Sequence, residues 1–355
     1  MSLLSGEWAL PTRGSGENES VRHVARRRYA RSMRGLVTGG AGFIGSHLCA
    51  KLLEDGWSVV CVDDLSTGSS ANVGHLERVG GDRFIPVISN LSNPEWRSVA
   101  DKYDYDIIYH LASAASPPDY LAMPLETLSV GSAGTLLSLE FAYEHEARFV
   151  YTSTSEVYGD PLVHPQVESY WGNVNPVGPR SVYDEAKRFS EALTMARHRK
   201  LGQDVGIARL FNTYGPRMRP GDGRVLSNFV VQALAGESLT VYGDGSQTRS
   251  PCYVSDMVDG LLALGGSNIT GPVNLGNPQE VTVLELAHMV IEVTGSESSI
   301  EFFPLPEDDP KRRCPDISLA GEKLGWQPSV DLRTGLEIFI DWMKDRLMKG
   351  ISDGE

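Results

Sequence analysis

Excess positive charge is what this chain most clearly lacks: 32 lysines and arginines are outnumbered by 46 aspartates and glutamates, leaving a formal charge of -14. A phosphate backbone needs a basic face, so this balance argues against nucleic acid as a partner, although an anionic small molecule needs only a local cluster. Cysteine is scarce as well. The four thiols (Cys49, Cys61, Cys252, Cys314) include no C-x-x-C and no metal-ligand spacing, so free, mostly core-packing cysteines in a reducing compartment are expected and no metal is called for. No apolar run approaches the roughly 18 residues that cross a bilayer, the first residues lack the apolar core of a signal peptide, and no internal repeat is present. These absences point to a soluble, cytoplasmic protein. With 41% hydrophobic and 22% charged residues over 355 positions, the chain is globular and long enough for two lobes or one large α/β unit.

Residues 1–32 read as a flexible tail, polar at first and then basic through Arg22, Arg26, Arg27, Arg28 and Arg31. Order begins near Met33. A short strand, Gly35-Leu36-Val37, runs into Thr38-Gly39-Gly40-Ala41-Gly42-Phe43-Ile44-Gly45 and then a helical stretch from Ser46 to Glu54. Strand, glycine loop and helix N-terminus are the context a dinucleotide site requires. Gly39 and Gly42 permit a tight turn and close approach to a pyrophosphate, Gly45 lets helix pack on strand, and the helix N-terminus offers free N–H groups. A second strand, Ser58 to Val62, ends in Asp63, about 20 residues on, where an acid binds the adenosine ribose and repels a 2′-phosphate. NAD is therefore favoured over NADP, with Asp64 as the rival for that role. Phe84 to Ile88 is a third strand, with Asn90 beyond it placed against adenine. Asp106 to Ala112 is a fourth, whose Leu111 and Ala112 let a cofactor lie close; His110 on it is read as packed rather than catalytic. Pro117-Pro118 make Ser113 to Tyr120 a loop, and Thr127 to Glu144 is helical.

The next strand, Arg148 to Thr152, delivers Ser153-Thr154-Ser155-Glu156 at its C-terminal end, where open α/β sheets bind ligands. Tyr183-x-x-x-Lys187 follows on an amphipathic helix, and a spacing of four places both residues on one face. An ammonium near a phenol lowers its pKa from about 10 toward neutrality, giving a base for a sugar hydroxyl. After the strand Gly206 to Leu210 the chain turns to loops with scattered polar anchors, among them Asn212, Thr213, Arg217, Arg224, Asn228, Tyr242 and Arg249. Arginines converging on one cleft would clamp a diphosphate.

Thr38-Gly39-x-x-Gly42-x-x-Gly45 with Tyr183-x-x-x-Lys187 resembles the extended short-chain dehydrogenase/reductases that act on nucleotide sugars. Ser153 to Pro161, His164-Pro165-Gln166, Tyr170 to Pro176, Ser246 to Arg249 and Pro315-Asp316-Ile317 narrow the resemblance to the UDP-glucuronic acid decarboxylases, or UDP-xylose synthases, from about Met33 to Leu347. The resemblance implies a Rossmann-type doubly wound parallel sheet with a smaller C-terminal α/β lobe. The expected division is 33–211 with 239–265 for NAD, 212–238 with 266–347 for the nucleotide sugar, and a tail at 348–355. It also implies oxidation at C4 of the sugar, loss of CO₂ from the resulting 4-ketone, protonation at C5 and return of hydride, so that NAD is regenerated. Tyr183 would be the base, Lys187 would bind the nicotinamide ribose, and Thr154 and Ser155 would orient the C4 oxygen and carboxylate region. Glu156 would act on ring conformation or on proton delivery at C5, and Arg313 would lie near the sugar or phosphates. The expected cofactor contacts are Gly39, Gly42, Phe43, Ile44, Gly45, Asp63, Asp64, Ser66, Thr67, Asn90, Leu111, Ala112, Tyr183, Lys187, Thr213 and Arg224; the substrate contacts are Tyr120, Asn212, Asn228, Tyr242, Arg249 and Arg313. Relatives pair through a four-helix bundle, which implies a homodimer through 127–144 and 183–201.

Three positions depart from the resembled pattern. Ser129 stands where a substrate-contacting lysine is usual, implying reduced affinity or turnover. Pro251 replaces an aromatic next to the loop carrying Arg249, and Asn90 replaces an aspartate. A 4,6-dehydratase would place an acid at Ser155, and a 4-epimerase has no requirement for Glu156. An apiose/xylose synthase stays open, as does a non-catalytic NAD-binding regulator.

Overall fold

The protein is described from a computed structural model covering residues 32 to 305 and 310 to 348. The expected tails, apart from Ser32 and Met348, lie outside the described residues.

Seven strands form the main sheet: β1 (Arg34–Thr38), β2 (Ser58–Asp63), β3 (Phe84–Ile88), β4 (Ile107–His110), β5 (Arg148–Thr154), β6 (Val205–Leu210) and β7 (Val273–Leu275). All pairings in it are parallel, in the order β7-β6-β5-β4-β1-β2-β3. Parallel sheets are covered on both faces, which is why these strands read as continuous apolar runs. Successive side chains point to opposite faces, and the two cores divide accordingly. Val37, Val59, Ile107 and Val150 enter one, while their chain neighbours Leu36, Val60, Ile108 and Phe149 enter the other. Strand order reverses between β1 and β4, so a crevice opens at the C-terminal ends of these strands, the place where open α/β sheets take ligands.

Helix α1 (Phe43–Glu54) follows β1 directly, and α2 (Ser70–Gly80) follows β2. The prolines at 117 and 118, read from sequence as loop, instead open helix α3 (Pro117–Ala122). A proline in the first turn loses no hydrogen bond the helix would otherwise make, and the Ser116 hydroxyl caps it by accepting from Asp119 N at 3.4 Å. Helix α4 (Pro124–Ser129) passes through a π-turn (Val130–Gly134) into α5 (Thr135–Glu144), close to the helix expected at 127–144. This pair packs on α6 (Ser181–Leu201) through small residues: a Cβ on Gly131 would come within 2.7 Å of the Ala186 Cβ. Ser190 Oγ donates to Gly131 O at 2.6 Å.

A third core lies around α7 (Val225–Ala235), α9 (Val283–Thr294) and α10 (Leu332–Met348), and includes Phe229, Leu239, Val241, Leu286 and Phe339. Two boundaries differ from the sequence reading. Leu239–Tyr242, assigned there with the NAD unit, pairs with Ile300–Phe303 away from the main sheet. Val273–Leu275, assigned with the other lobe, is the edge strand β7. The intervening helix α8 (Val254–Gly265) packs on the main-sheet core through Met257, Leu261 and Leu264.

Candidate active site

The glycine loop is built by close backbone approach. Gly39 has φ of 70°, and a Cβ there would lie 2.7 Å from Ala112 N; a Cβ on Gly45 would lie 2.1 Å from Gly39 O. Only hydrogen fits at either position. Asp63 holds the loop from β2, accepting from Ala41 N and Leu65 N, both at 2.9 Å. Burial raises its pKa against these bonds. The bare N-terminus of α1 and the small residues after β4 complete a cradle for a pyrophosphate-bearing cofactor. Arg217 lines the same cleft, and its Nη1 is buried without a hydrogen-bond partner. A glycine floor without side chains beside an unpaired guanidinium nitrogen fits a dinucleotide.

The second half of the site comes from β5 and α6. β5 runs on to Thr154, two residues further than the sequence suggested, and the chain then tightens into a 3₁₀ turn, Ser155–Tyr158. Thr154 Oγ1 caps that turn, accepting from Glu156 N at 3.2 Å, and its hydroxyl also bonds the Tyr183 phenol. Thus one side chain both caps the turn and meets the Tyr183 phenol. Lys187, one turn along α6, donates to Thr152 O at 2.8 Å, with its ammonium 5.8 Å from the Tyr183 ring centroid. Tyr120 does not line the cleft; it stacks on Tyr183 with ring centroids 5.3 Å apart and 7° between planes. His110 is buried between Thr38 Oγ1 at 2.9 Å and Thr135 Oγ1 at 3.1 Å, a packed residue as expected, and burial drives its pKa to about 3.

Glu156 sits between two guanidiniums. Arg313 grips both of its oxygens, and Arg180 Nη2 donates to Oε2 at 2.9 Å. Burial alone would raise the carboxyl, but the two arginines outweigh it and hold the pKa at about 2. Glu156 is therefore a fixed anion at neutral pH and carries no proton to deliver, which leaves only the positioning half of its expected role. The expectation for Tyr183 is also corrected. Burial, reinforced by the negative Glu156, raises the phenol, while burial lowers Lys187 from 10.5 to about 7. Desolvation disfavours both charged forms, and it outweighs the pairwise attraction that the sequence reading considered.

One cleft of about 330 Å³ is lined by Gly39, Gly42, Phe43, Ile44, Gly45, Asp63, Asp64, Ser66, Thr67, Asn90, Leu111 and Ala112, by Thr154, Ser155, Glu156, Tyr183 and Lys187, and by Asn212, Thr213, Arg224 and Arg313. The remaining expected substrate residues lie elsewhere. Arg249 borders a smaller adjoining cavity that shares Asn212, Thr213 and Arg224 with the main cleft, and its guanidinium is tied to Thr248 O and Pro310 O. Asn228 donates to Gly223 O, and Tyr242 is exposed. Ser129 does line the cleft, and Pro251 lines the smaller cavity. Arg180, Asp184 and Arg219 escaped the sequence reading; the first two flank Tyr183 four positions apart, a spacing that marks one helical face.

The four cysteines are free and buried. Among the described residues no helix is long and apolar enough to cross a membrane.

Residues 35–276 match the model of the NAD dependent epimerase/dehydratase family. The chain is 51% identical over 312 residues to a zebrafish (Danio rerio) protein named UDP-glucuronic acid decarboxylase 1, covering 88% of this chain and 73% of that one. It is equally 51% identical over 317 residues to UDP-glucuronic acid decarboxylase 3 of Arabidopsis thaliana, covering 89% and 90%. Among solved structures, UDP-glucuronic acid 4-epimerase from Bacillus cereus, in complex with UDP-glucuronic acid and NAD, superposes with a TM-score of 0.78 at 29% identity, covering 88% of this chain and 99% of that one.

Proposed function

The chain belongs to the NAD dependent epimerase/dehydratase family, and from that premise we infer that it converts UDP-glucuronic acid to UDP-xylose and CO₂ through a 4-keto sugar. The observation that carries this reading is the meeting of Thr154, Tyr183 and Lys187 with the arginine-held Glu156 at the sheet's switch point. Named relatives at about half identity carry the same activity.

The glycine loop, Asp63 and Arg217 would hold NAD, with Asp64, Ser66, Thr67 and Asn90 around its adenosine end. Bound NAD supplies the acceptor, and later the donor, of the C4 hydride, together with a positive ring charge. Tyr183, bonded to Thr154, takes the proton of the C4 hydroxyl as the ketone forms and returns one when the hydroxyl is rebuilt. Lys187, bonded to Thr152 O, opposes the charge that develops on the phenol. Once C4 is a ketone, the C5 carboxylate is β to a carbonyl, so its loss as CO₂ leaves a delocalised enolate, which takes a proton at C5 from water before the hydride returns to C4. Glu156, fixed as an anion, faces that carboxylate from the protein side, and the like charge favours its departure. Arg313 orients Glu156 and supplies the cation the sugar carboxylate needs to enter. Ser155, where a dehydratase would place an acid, offers no carboxyl to eliminate water across C5 and C6.

The core around α7, α9 and α10 is read as the nucleotide-sugar lobe, with Asn228, Tyr242 and Arg249 toward the uridine diphosphate. Exposed Leu125, Leu128, Leu136 and Tyr143 on α4 and α5, with Phe189 on α6, support a homodimer through a four-helix bundle. Buried free thiols support a cytoplasmic setting. Incubation with NAD and UDP-glucuronic acid, followed by mass spectrometry, tests the reading: a UDP-pentose with CO₂ release is expected, and unchanged substrate would refute it. Sedimentation tests the dimer.

A further inference from the structure

Four charged side chains from three separate stretches meet beside the cleft. Glu156 follows β5, Arg180 and Asp184 bracket the first turn of α6, and Arg313 comes from the C-terminal region. All are withdrawn from water: Arg313 and Asp184 are buried, and the side chains of Glu156 and Arg180 are each 14% exposed. Asp184 does not line the cleft, and its Oδ1 is buried without a hydrogen-bond partner. The two arginines and Glu156 sum to one positive charge, and an ionised Asp184 would bring the cluster to zero. A UDP-hexuronate differs from a UDP-hexose by one negative charge, carried on C5.

We propose that Asp184 is a specificity-determining positioning residue: its protonation state sets whether the Arg180–Glu156–Arg313 cluster presents a net positive charge, and so how strongly the site prefers a nucleotide sugar bearing a carboxylate. This deepens the reading of the substrate given above and rests on it. Burial first, and the negative Glu156 second, raise Asp184 to about 7 against the pull of Arg313 and Arg180, so its charge changes within the physiological range. The other groups facing it are Tyr183 and Glu185 on its own helix and Tyr120 from α3. Glu185 is paired with Arg188 at 3.6 Å. Lys187 also titrates near 7 and loses its charge over the same range, so its share of the change is read from the Asp184→Asn variant, in which it still titrates.

The test is calorimetric binding of UDP-glucuronic acid and of UDP-glucose to the NAD-loaded protein, in a Tyr183→Phe background that blocks turnover, from pH 6 to 8.5. Neither ligand titrates in that range. With Asp184 present, the affinity ratio favouring the glucuronate should fall roughly five- to thirtyfold as pH rises, the factor that about 1 to 2 kcal/mol of partly screened charge interaction supplies. With Asp184→Asn added, the fall should shrink to the shallower slope that Lys187 alone contributes. A flat ratio with Asp184 present, or an unchanged slope in the Asn variant, would overturn the proposal. If the Asn variant does not fold, Arg180→Gln replaces it: the ratio at pH 6 should then drop to near its pH 8.5 value, and no drop would overturn the proposal. CO₂ release is scored separately, with Tyr183 intact. Absent decarboxylation with the expected binding ratios refutes the proposed function alone, and decarboxylation with a flat ratio refutes this inference alone.

Discussion

Lys187 should destabilise the protein it serves, and Lys187→Met exposes the cost. Lys187 is 5% exposed and burial lowers its pKa from 10.5 to about 7. Between those two values the unfolded chain binds a proton that the folded chain does not, so stability climbs as pH rises from about 7 to 10.5, and the penalty is largest at and below 7. At pH 7 it amounts to about 4 kcal/mol. Methionine removes it, while losing the bond from Nζ to Thr152 O, worth about 1 to 2 kcal/mol. The variant should therefore be more stable by about 2 kcal/mol at pH 7. At pH 10 the penalty has shrunk to under about 1 kcal/mol, and the lost hydrogen bond makes the variant equal to or less stable than its parent. Urea unfolding followed by tryptophan fluorescence, without NAD, at both pH values, measures the difference. An equal gain at pH 7 and 10, or a loss at pH 7, would refute the reasoning. Turnover should collapse in the same variant, the usual exchange between stability and a strained catalytic group.

Tyr183→Phe should abolish CO₂ release while the affinity for UDP stays within a few fold, measured by calorimetry; near-normal turnover would remove Tyr183 as the base. Glu156→Gln leaves two buried arginines facing a neutral amide, and should cost about 3 kcal/mol at pH 7. Since the Glu156 pKa is depressed to about 2, the stability it contributes is present above about 4.5 and lost as pH falls toward 2. The gap between variant and parent should close over that window in acid unfolding curves. Gly45→Ala places a methyl 2.1 Å from Gly39 O, so NAD affinity should fall at least about tenfold, as read by calorimetry, from one displaced backbone contact.

Much of the fold was legible because it depends on local signals. The alternation of Leu36 and Val37, or Ile108 and Ile107, between two cores is a period-2 pattern, and the glycine loop between β1 and α1 states its own conformational need. Pro117-Pro118 misled for an equally local reason, since the same residues that end a helix can begin one and only the Ser116 cap distinguishes the two. The edge of the main sheet could not be placed from pattern alone. Val273–Leu275 and Leu239–Tyr242 are both short apolar strands, and their partners, β6 and Ile300–Phe303, are selected by packing.

The electrostatics of the site were the least legible part, and the reason is distance in sequence. Arg313 reaches Glu156 across 157 residues, and no spacing rule connects them. Pairwise reasoning on Tyr183 and Lys187 gave the wrong sign for the phenol because it included the ammonium and left out the desolvation that a closed cleft imposes on both. The same omission hid Arg180 and Asp184, which look like ordinary helix-surface charges until Tyr120 and the turn after β5 cover them. While Asp184 holds its proton, the three buried charges of Arg180, Glu156 and Arg313 leave a surplus of one positive charge that an anionic ligand completes. In this protein the carboxylate that the reaction removes would also be the charge that balances the site, so once CO₂ leaves, the sugar carries nothing to offset the surplus, while Glu156 still holds Arg180 and Arg313. Product release and substrate selection would then depend on the same cation surplus, whose size is set by a residue that does not line the cleft.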